Sequence, residues 1–172
     1  FFDTEFDAGY SALRNIFFKI NRKIMTTTAS EIREAEYFTL DESYLLDLRS
    51  SVRGSIITKD DLGYDEARSV YNGMVDKYPF LIIQCRDVAD VMAGLKFAKN
   101  QKLPIAIRGG GHNAGGLGVC DNGLVIDLSP MKGIRVDSAT RTARAEAGVL
   151  WGELDRETQL HGLATVGGIV TH

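Results

Sequence analysis

Pro104-Ile105-Ala106-Ile107-Arg108-Gly109-Gly110-Gly111-His112-Asn113-Ala114-Gly115-Gly116-Leu117-Gly118 is the stretch from which the rest of the chain can be read. Ile105 to Ile107 read as the end of a buried strand, and three glycines follow at once. Glycine lets a backbone turn through positive φ and come close to a ligand. Successive free N–H groups in such a turn form a concavity that suits a phosphate anion. His112, directly behind the turn, places a nucleophilic nitrogen beside whatever is cradled. A glycine-rich surface turn with an exposed histidine is an equal reading of this motif alone, because short glycine motifs are weak evidence.

Composition narrows the classes. The chain has 172 residues, 44% hydrophobic and 25% charged, which is ordinary globular usage with room for one domain and a real core. A net charge of −3 leaves no basic surplus for nucleic acid. There are 18 glycines against 3 prolines, and 7 of the glycines lie between Gly109 and Gly123 with apolar runs on both sides. That crowding fits a backbone built to approach a ligand, not a linker. Two cysteines make no disulfide framework, and both are expected reduced, Cys85 as a small hydrophobe in a buried run. No apolar run reaches the ~18 residues of a membrane span, and no secretory signal is visible. The expected compartment is therefore cytoplasmic. The chain starts at Phe1 and stops at His172, just after a glycine-bearing run, so a fragment of a longer protein is expected.

Leu13, Ile16, Phe17, Ile20 and Ile24 stand at helical spacing with basic residues between them. Met25 and the polar run behind it read as a true start, which makes 1–24 an upstream extension, native or not. Residues 25–76 read as a helical lead-in. Asp41 can cap a helix through Leu45 to Val52; a short apolar step, Ile56-Ile57, follows; Tyr64 to Asn72 read as a second helix. Residues 77–172 then carry the ligand-binding domain. Its first strand is Phe80 to Cys85. Asp87 caps a helix whose buried stripe is expected to be Val88, Val91, Met92, Leu95 and Ala98. Asn100 ends that helix, and Ile105 to Arg108 is the second strand, so the two strands are expected parallel. Leu124 to Leu128 is a third strand. Ile134 to Asp137 and Thr142 to Ala147 form a half-exposed antiparallel hairpin. Leu150, Trp151 and Leu154 lie on one face of a helix running to about His161.

A nicotinamide-binding Rossmann loop is the first rival. Gly109, Gly111 and Ala114 fit G-x-G-x-x-A after a strand, and Asp127 stands 18 positions after Gly109. That motif must open a helix whose N-terminus holds the pyrophosphate. Residues 112–123 carry Gly115, Gly116, Gly118 and Gly123, and each interior glycine costs a helix ~1 kcal/mol. A nicotinamide-dependent dehydrogenase is the weaker reading for that reason. A Walker loop is excluded because no Gly-Lys-Ser/Thr follows. His112, Cys120 and His161 have no metal-ligand spacing, so no metal site is expected.

Taken together, Arg108-Gly-Gly-Gly-His-Asn113, Gly123-Leu-Val-Ile-Asp-Leu-Ser129, Gly133-Ile-Arg-Val-Asp137, Ala147-Gly-Val-Leu-Trp-Gly-Glu-Leu154 and Gly162-Leu-Ala-Thr-Val-Gly-Gly168 closely resemble the flavin-binding domain of FAD-linked oxidases. These are the berberine bridge enzyme-like members of the vanillyl-alcohol oxidase and p-cresol methylhydroxylase (PCMH) superfamily. The resemblance covers roughly 40–172. It implies an α+β, PCMH-type FAD-binding domain: a small parallel βαβ subdomain followed by an incomplete antiparallel sheet with helices.

The same resemblance implies that Gly109, Gly110, Gly111, His112 and Asn113 bind the FAD pyrophosphate, with Gly116 in the same loop. It implies that His112 attaches covalently to the flavin's 8α carbon. Thr165, Gly167, Gly168, Val170 and Thr171 would pass close to the ring. Arg108 reads equally as a phosphate counter-charge or a strand-end residue, and Asp127 as a structural acceptor. Some family members add a cysteine link, and by the resemblance Val170 stands at that cysteine's place, which leaves a single link through His112. The implied activity is hydride transfer from an alcohol, sugar or natural-product carbon to flavin, with dioxygen as acceptor and a small molecule as substrate. The catalytic base and the oligomeric state are not readable here. A non-catalytic module that keeps the flavin fold shares every one of these features.

Overall fold

A four-stranded sheet carries the glycine stretch, and its order is not the order of the sequence. The computed structural model describes residues 42–168 and 170, so the 1–24 helix, the Asp41 cap and Thr171 lie outside the described residues. In chain order the elements are α1 (Glu42–Ser51), β1 (Ser55–Thr58), α2 (Tyr64–Arg68), β2 (Leu81–Gln84), α3 (Val88–Gln101), β3 (Ile105–Arg108), β4 (Leu124–Asp127), β5 (Ile134–Asp137), β6 (Thr142–Ala145) and α4 (Trp151–Gln159). The sheet order is β1-β2-β4-β3, with β5 and β6 as a separate antiparallel pair. β2 and β3 are parallel, as expected of a strand–helix–strand unit, but β4 pairs with both and lies between them.

Register divides the sheet into two faces. Ile82, Val125 and Ala106 are in line, and they pack against Tyr64, Ala67 and Val119 in one core cluster. Ile83 and Ile126 point the other way, under α3, where Gly94 lets the helix sit close on them. All four residues of β4 are buried, which fits a central parallel strand covered on both faces. β3 is an edge strand, and on the α3 face its Ile105 and Ile107 remain exposed.

Three local expectations are corrected. The residues of α3 that are buried are Asp90, Gly94, Phe97 and Ala98; Val88, Met92 and Leu95 are exposed. Of the stripe read from the sequence Ala98 is buried and Val91 half-buried, and the close seat on the sheet is at Gly94. Ile56-Ile57 belongs to a strand, β1, which pairs antiparallel with β2 inside the stretch expected to be helical. The helix begun at Tyr64 stops at Arg68, and residues 69–72 run extended or bent towards the glycine stretch.

α3 begins where the Asp87 side chain accepts the Asp90 N–H at 3.1 Å and ends at Lys102 in the left-handed conformation, φ 54°. Asp90, fully buried, turns away from its own helix. Its carboxylate accepts the N–H groups of Arg53 at 2.8 Å, Gly54 at 3.0 Å and Arg86 at 2.8 Å, tying the α1–β1 turn to the end of β2. Burial alone would raise this carboxyl, but the three N–H donors outweigh it and hold it below the ordinary aspartate value. A folded value below the unfolded ~3.9 contributes stability that is present above about pH 4 and lost as pH falls through the folded value. Asp90→Asn should therefore lower stability by about 2–3 kcal/mol at pH 7, with the gap narrowing below about pH 4. Urea unfolding at pH 7 and pH 3 measures both; equal gaps at the two pH values would refute the charged-acceptor role.

Candidate flavin site

β3 delivers Arg108 to the mouth of the glycine turn and β4 delivers Asp127 beside it, in register. Both are buried. The Arg108 guanidinium donates from Nη2 to Asp127 Oδ2 at 2.7 Å and to the Ala67 carbonyl at 2.6 Å, and from Nη1 to the Ser69 carbonyl at 3.0 Å. Asp127 Oδ1 accepts the Ser129 N–H at 3.0 Å. The geometry thus gives Arg108 a strand-end role: it fastens the exit of α2 to the ends of β3 and β4. The acceptor role expected for Asp127 is the one it plays here.

The turn itself runs through Gly111 at φ 73°, a conformation that favours glycine. Tyr71 N–H donates to the Gly111 carbonyl at 3.2 Å, and Asn72 Nδ2 to the Ala114 carbonyl at 2.8 Å. Asn113 folds the loop on itself, its carbonyl accepting from Gly116 N–H at 3.0 Å and its Oδ1 from Leu117 N–H at 3.1 Å. Among the described residues, the N–H groups of Gly110, Gly111 and His112 make no backbone hydrogen bond. They border a cavity of ≈ 310 Å³ that Tyr71, His112, Lys132 and Leu150 also line.

The imidazole of His112 is closely housed in that cavity. A methyl group on Gly110 would lie 2.7 Å from its Cε1 and 2.9 Å from its Nδ1. The Tyr71 ring meets it edge to face, centroids 5.8 Å apart at 81°. Lys132 Nζ is 2.7 Å from Glu153 Oε2, and the same oxygen accepts the Leu150 N–H at 2.7 Å at the start of α4. The Leu150 N–H, and after it the Lys132 ammonium, hold the Glu153 carboxyl below the usual glutamate range.

The later glycine-bearing run lies elsewhere. Thr165 lines a separate cavity of ≈ 240 Å³ with Trp151 and residues of the β5–β6 hairpin. Gly167 and Gly168 make their close approach to the Trp151 indole; a methyl group on Gly168 would lie 2.6 Å from its Nε1. Val170 is partly exposed. Arg108 to His112 thus line one cavity, and Thr165 lines another. Neither cysteine is a ready nucleophile: burial pushes the Cys85 thiol up to about 12 and raises Cys120 as well. No group of three His, Cys, Asp or Glu among the described residues could hold a metal, and no described helix is long and apolar enough to cross a membrane.

Sequence reading missed Tyr71, Asn72 and Lys132. For the first two a signal existed, the Asn72-Gly73 turn dipeptide, which argues against a helix through Asn72. Lys132 carried none, since it stands in an unremarkable turn.

The FAD binding domain family matches residues 79–169, from just before β2 to the end of the second glycine-bearing run. The chain belongs to this family. It is 37% identical over 119 residues to (R)-6-hydroxynicotine oxidase of Paenarthrobacter nicotinovorans, covering 69% of this chain and 26% of that protein. It is 37% identical over 124 residues to an FAD-linked oxidoreductase of Bacillus subtilis, covering 72% of this chain and 28% of that one. The crystal structure of 6-hydroxy-D-nicotine oxidase from Arthrobacter nicotinovorans superposes with a TM-score of 0.67 at 37% identity, over 69% of this chain and 26% of that chain. The PCMH-type fold, with its parallel sheet and antiparallel pair, is therefore confirmed. The chain spans about a quarter of the length of these relatives. The residues present fit FAD: the N–H groups of Gly110, Gly111 and His112 make no backbone hydrogen bond, border one cavity, and suit a pyrophosphate.

Proposed function

We propose that this chain is the FAD-holding part of an oxidase, with the flavin attached through His112 and dioxygen as the electron acceptor. The observation that carries the reading is the placement of the His112 imidazole in the same cavity as the unpaired N–H groups of the glycine turn. Gly110, Gly111 and His112 would hold the pyrophosphate through those N–H groups. Lys132 stands at the same cavity as a countercharge, balanced by Glu153. The Arg108–Asp127 pair would keep the turn in place from behind.

When bound, the flavin supplies the two-electron chemistry, accepting hydride from a carbon of an alcohol, a sugar or a natural product such as the hydroxynicotine of the relative's name. His112 would serve attachment as the nucleophile, an imidazole nitrogen giving up its proton as it bonds the 8α carbon, while the flavin would supply the sink for the electron pair of the lost 8α C–H bond and dioxygen would take that pair as hydrogen peroxide. The test uses the full-length protein and a panel of alcohols, sugars and cyclic amines under anaerobic conditions. One class should bleach the yellow colour, and readmitted air should restore it with one peroxide per substrate. A protein that stays yellow with every class, or recovers in air without peroxide, overturns the oxidase reading.

A further inference from the structure

Tyr71 is an exposed aromatic residue with a fixed backbone. Its N–H is bonded to the Gly111 carbonyl at 3.2 Å, and two residues earlier the Ser69 carbonyl is held by Arg108 Nη1 at 3.0 Å. The chain between these two anchors has little freedom, so the ring is delivered to one place. Its side chain is 77% exposed, so core burial does not account for its position. What the ring does meet is the His112 imidazole, edge to face, at a centroid distance of 5.8 Å and 81°. Such pairs are favoured by the quadrupoles of the two rings at this separation and angle. Gly110 also borders the imidazole: a methyl group there would lie 2.7 Å from its Cε1 and 2.9 Å from its Nδ1.

We propose that Tyr71 is a positioning residue for flavin attachment: its ring, with Gly110, holds the His112 imidazole in the orientation from which it bonds the 8α carbon. The inference rests on the reading of His112 as the attaching residue. The hydrogen bonds of the turn hold the backbone on both sides of His112 but do not fix the rotation of its ring. A bond-forming step gains when its nucleophile is held in a near-attack orientation. Tyr71 supplies that restraint from a separate segment, and the contact needs the ring, not the hydroxyl.

The test measures how fast flavin becomes resistant to acid precipitation after FAD is added to the flavin-free full-length protein. Unmodified protein is compared with Tyr71→Phe, Tyr71→Leu and Tyr71→Ala, with His112→Ala as the control. Tyr71→Phe should attach within about twofold of the unmodified rate, because the ring pair is kept. Tyr71→Leu and Tyr71→Ala should attach about tenfold slower at saturating FAD, where reversible binding, read by absorbance before acid, is complete in every variant. In the flavin-free protein the His112 ring-proton resonance should move in Tyr71→Leu and stay in place in Tyr71→Phe. Unmodified attachment in Tyr71→Leu overturns the proposal, as does equal slowing in Tyr71→Phe. So does loss of reversible FAD binding in both ringless variants. Flavin attached in His112→Ala instead overturns the reading of His112, whatever Tyr71 does.

Discussion

Replacing His112 with alanine should take covalently held flavin from one per polypeptide to none. The measurement is yellow colour in the acid-precipitated pellet of the full-length protein. The expectation is absolute because the other candidate nucleophiles are poorly placed. Cys120 Sγ lies 3.8 Å from the Leu124 carbonyl and 3.9 Å from the Pro104 carbonyl, at the N-terminal ends of β3 and β4, and its thiol is raised by burial. His112 stands beyond the C-terminal end of β3. Cys120→Ser should therefore leave the pellet as yellow as before. Val170, which the family resemblance would put at the place of a second, cysteine link, offers no nucleophile. Flavin retained by His112→Ala would mean that another residue makes the bond.

The second large effect is on stability. Asp127→Ala should cost about 3–5 kcal/mol, because it leaves the Arg108 guanidinium buried without its counter-charge. The loss spreads to three places at once: the ends of β3 and β4, and the α2 exit whose Ala67 and Ser69 carbonyls the same guanidinium holds. A double variant, Arg108→Met with Asp127→Leu, removes both charges and should recover most of the loss. Urea unfolding of the flavin-free protein measures each. A single variant costing under about 1 kcal/mol would show that the pair is solvated and not a buried tie.

Much of this was legible because the decisive signals are local. Glycine spacing in 112–123 argued against a helix, and that alone weakened the nicotinamide reading. The hairpin alternation of Ile134-Arg135-Val136-Asp137 matches a pair with Ile134 and Val136 half-buried and Arg135 and Asp137 exposed. What failed depended on partners distant in sequence. Asp90 is a strong polar residue at a buried site only because Arg53, Gly54 and Arg86 bring it three N–H groups. Nothing near Asp90 announces them. Val88, Met92 and Leu95 have the right spacing for a buried face, as Ala98 of the same stripe does, but Gly94 permits the closer approach to Ile83 and Ile126 and turns the helix on the sheet. Gly167 and Gly168 signal a close approach in sequence; that the nearest surface is the Trp151 indole is a fact of tertiary packing.

The strand order carries a consequence for how the molecule is made. β4 is the last of its four strands to leave the ribosome, yet it fills the centre of the sheet. Until Asp127 has emerged, β2 has an open side and β3 has no strand neighbour, with the backbone edge of Leu81, Ile82 and Ile83 unpaired there. The nascent chain therefore passes through a period in which its most adhesive backbone is exposed, and pairing is non-local when it comes. Arg108 and Asp127 meet only at that moment. The insertion of one strand thus finishes the sheet, shuts the ion pair away and sets the glycine turn in the same event.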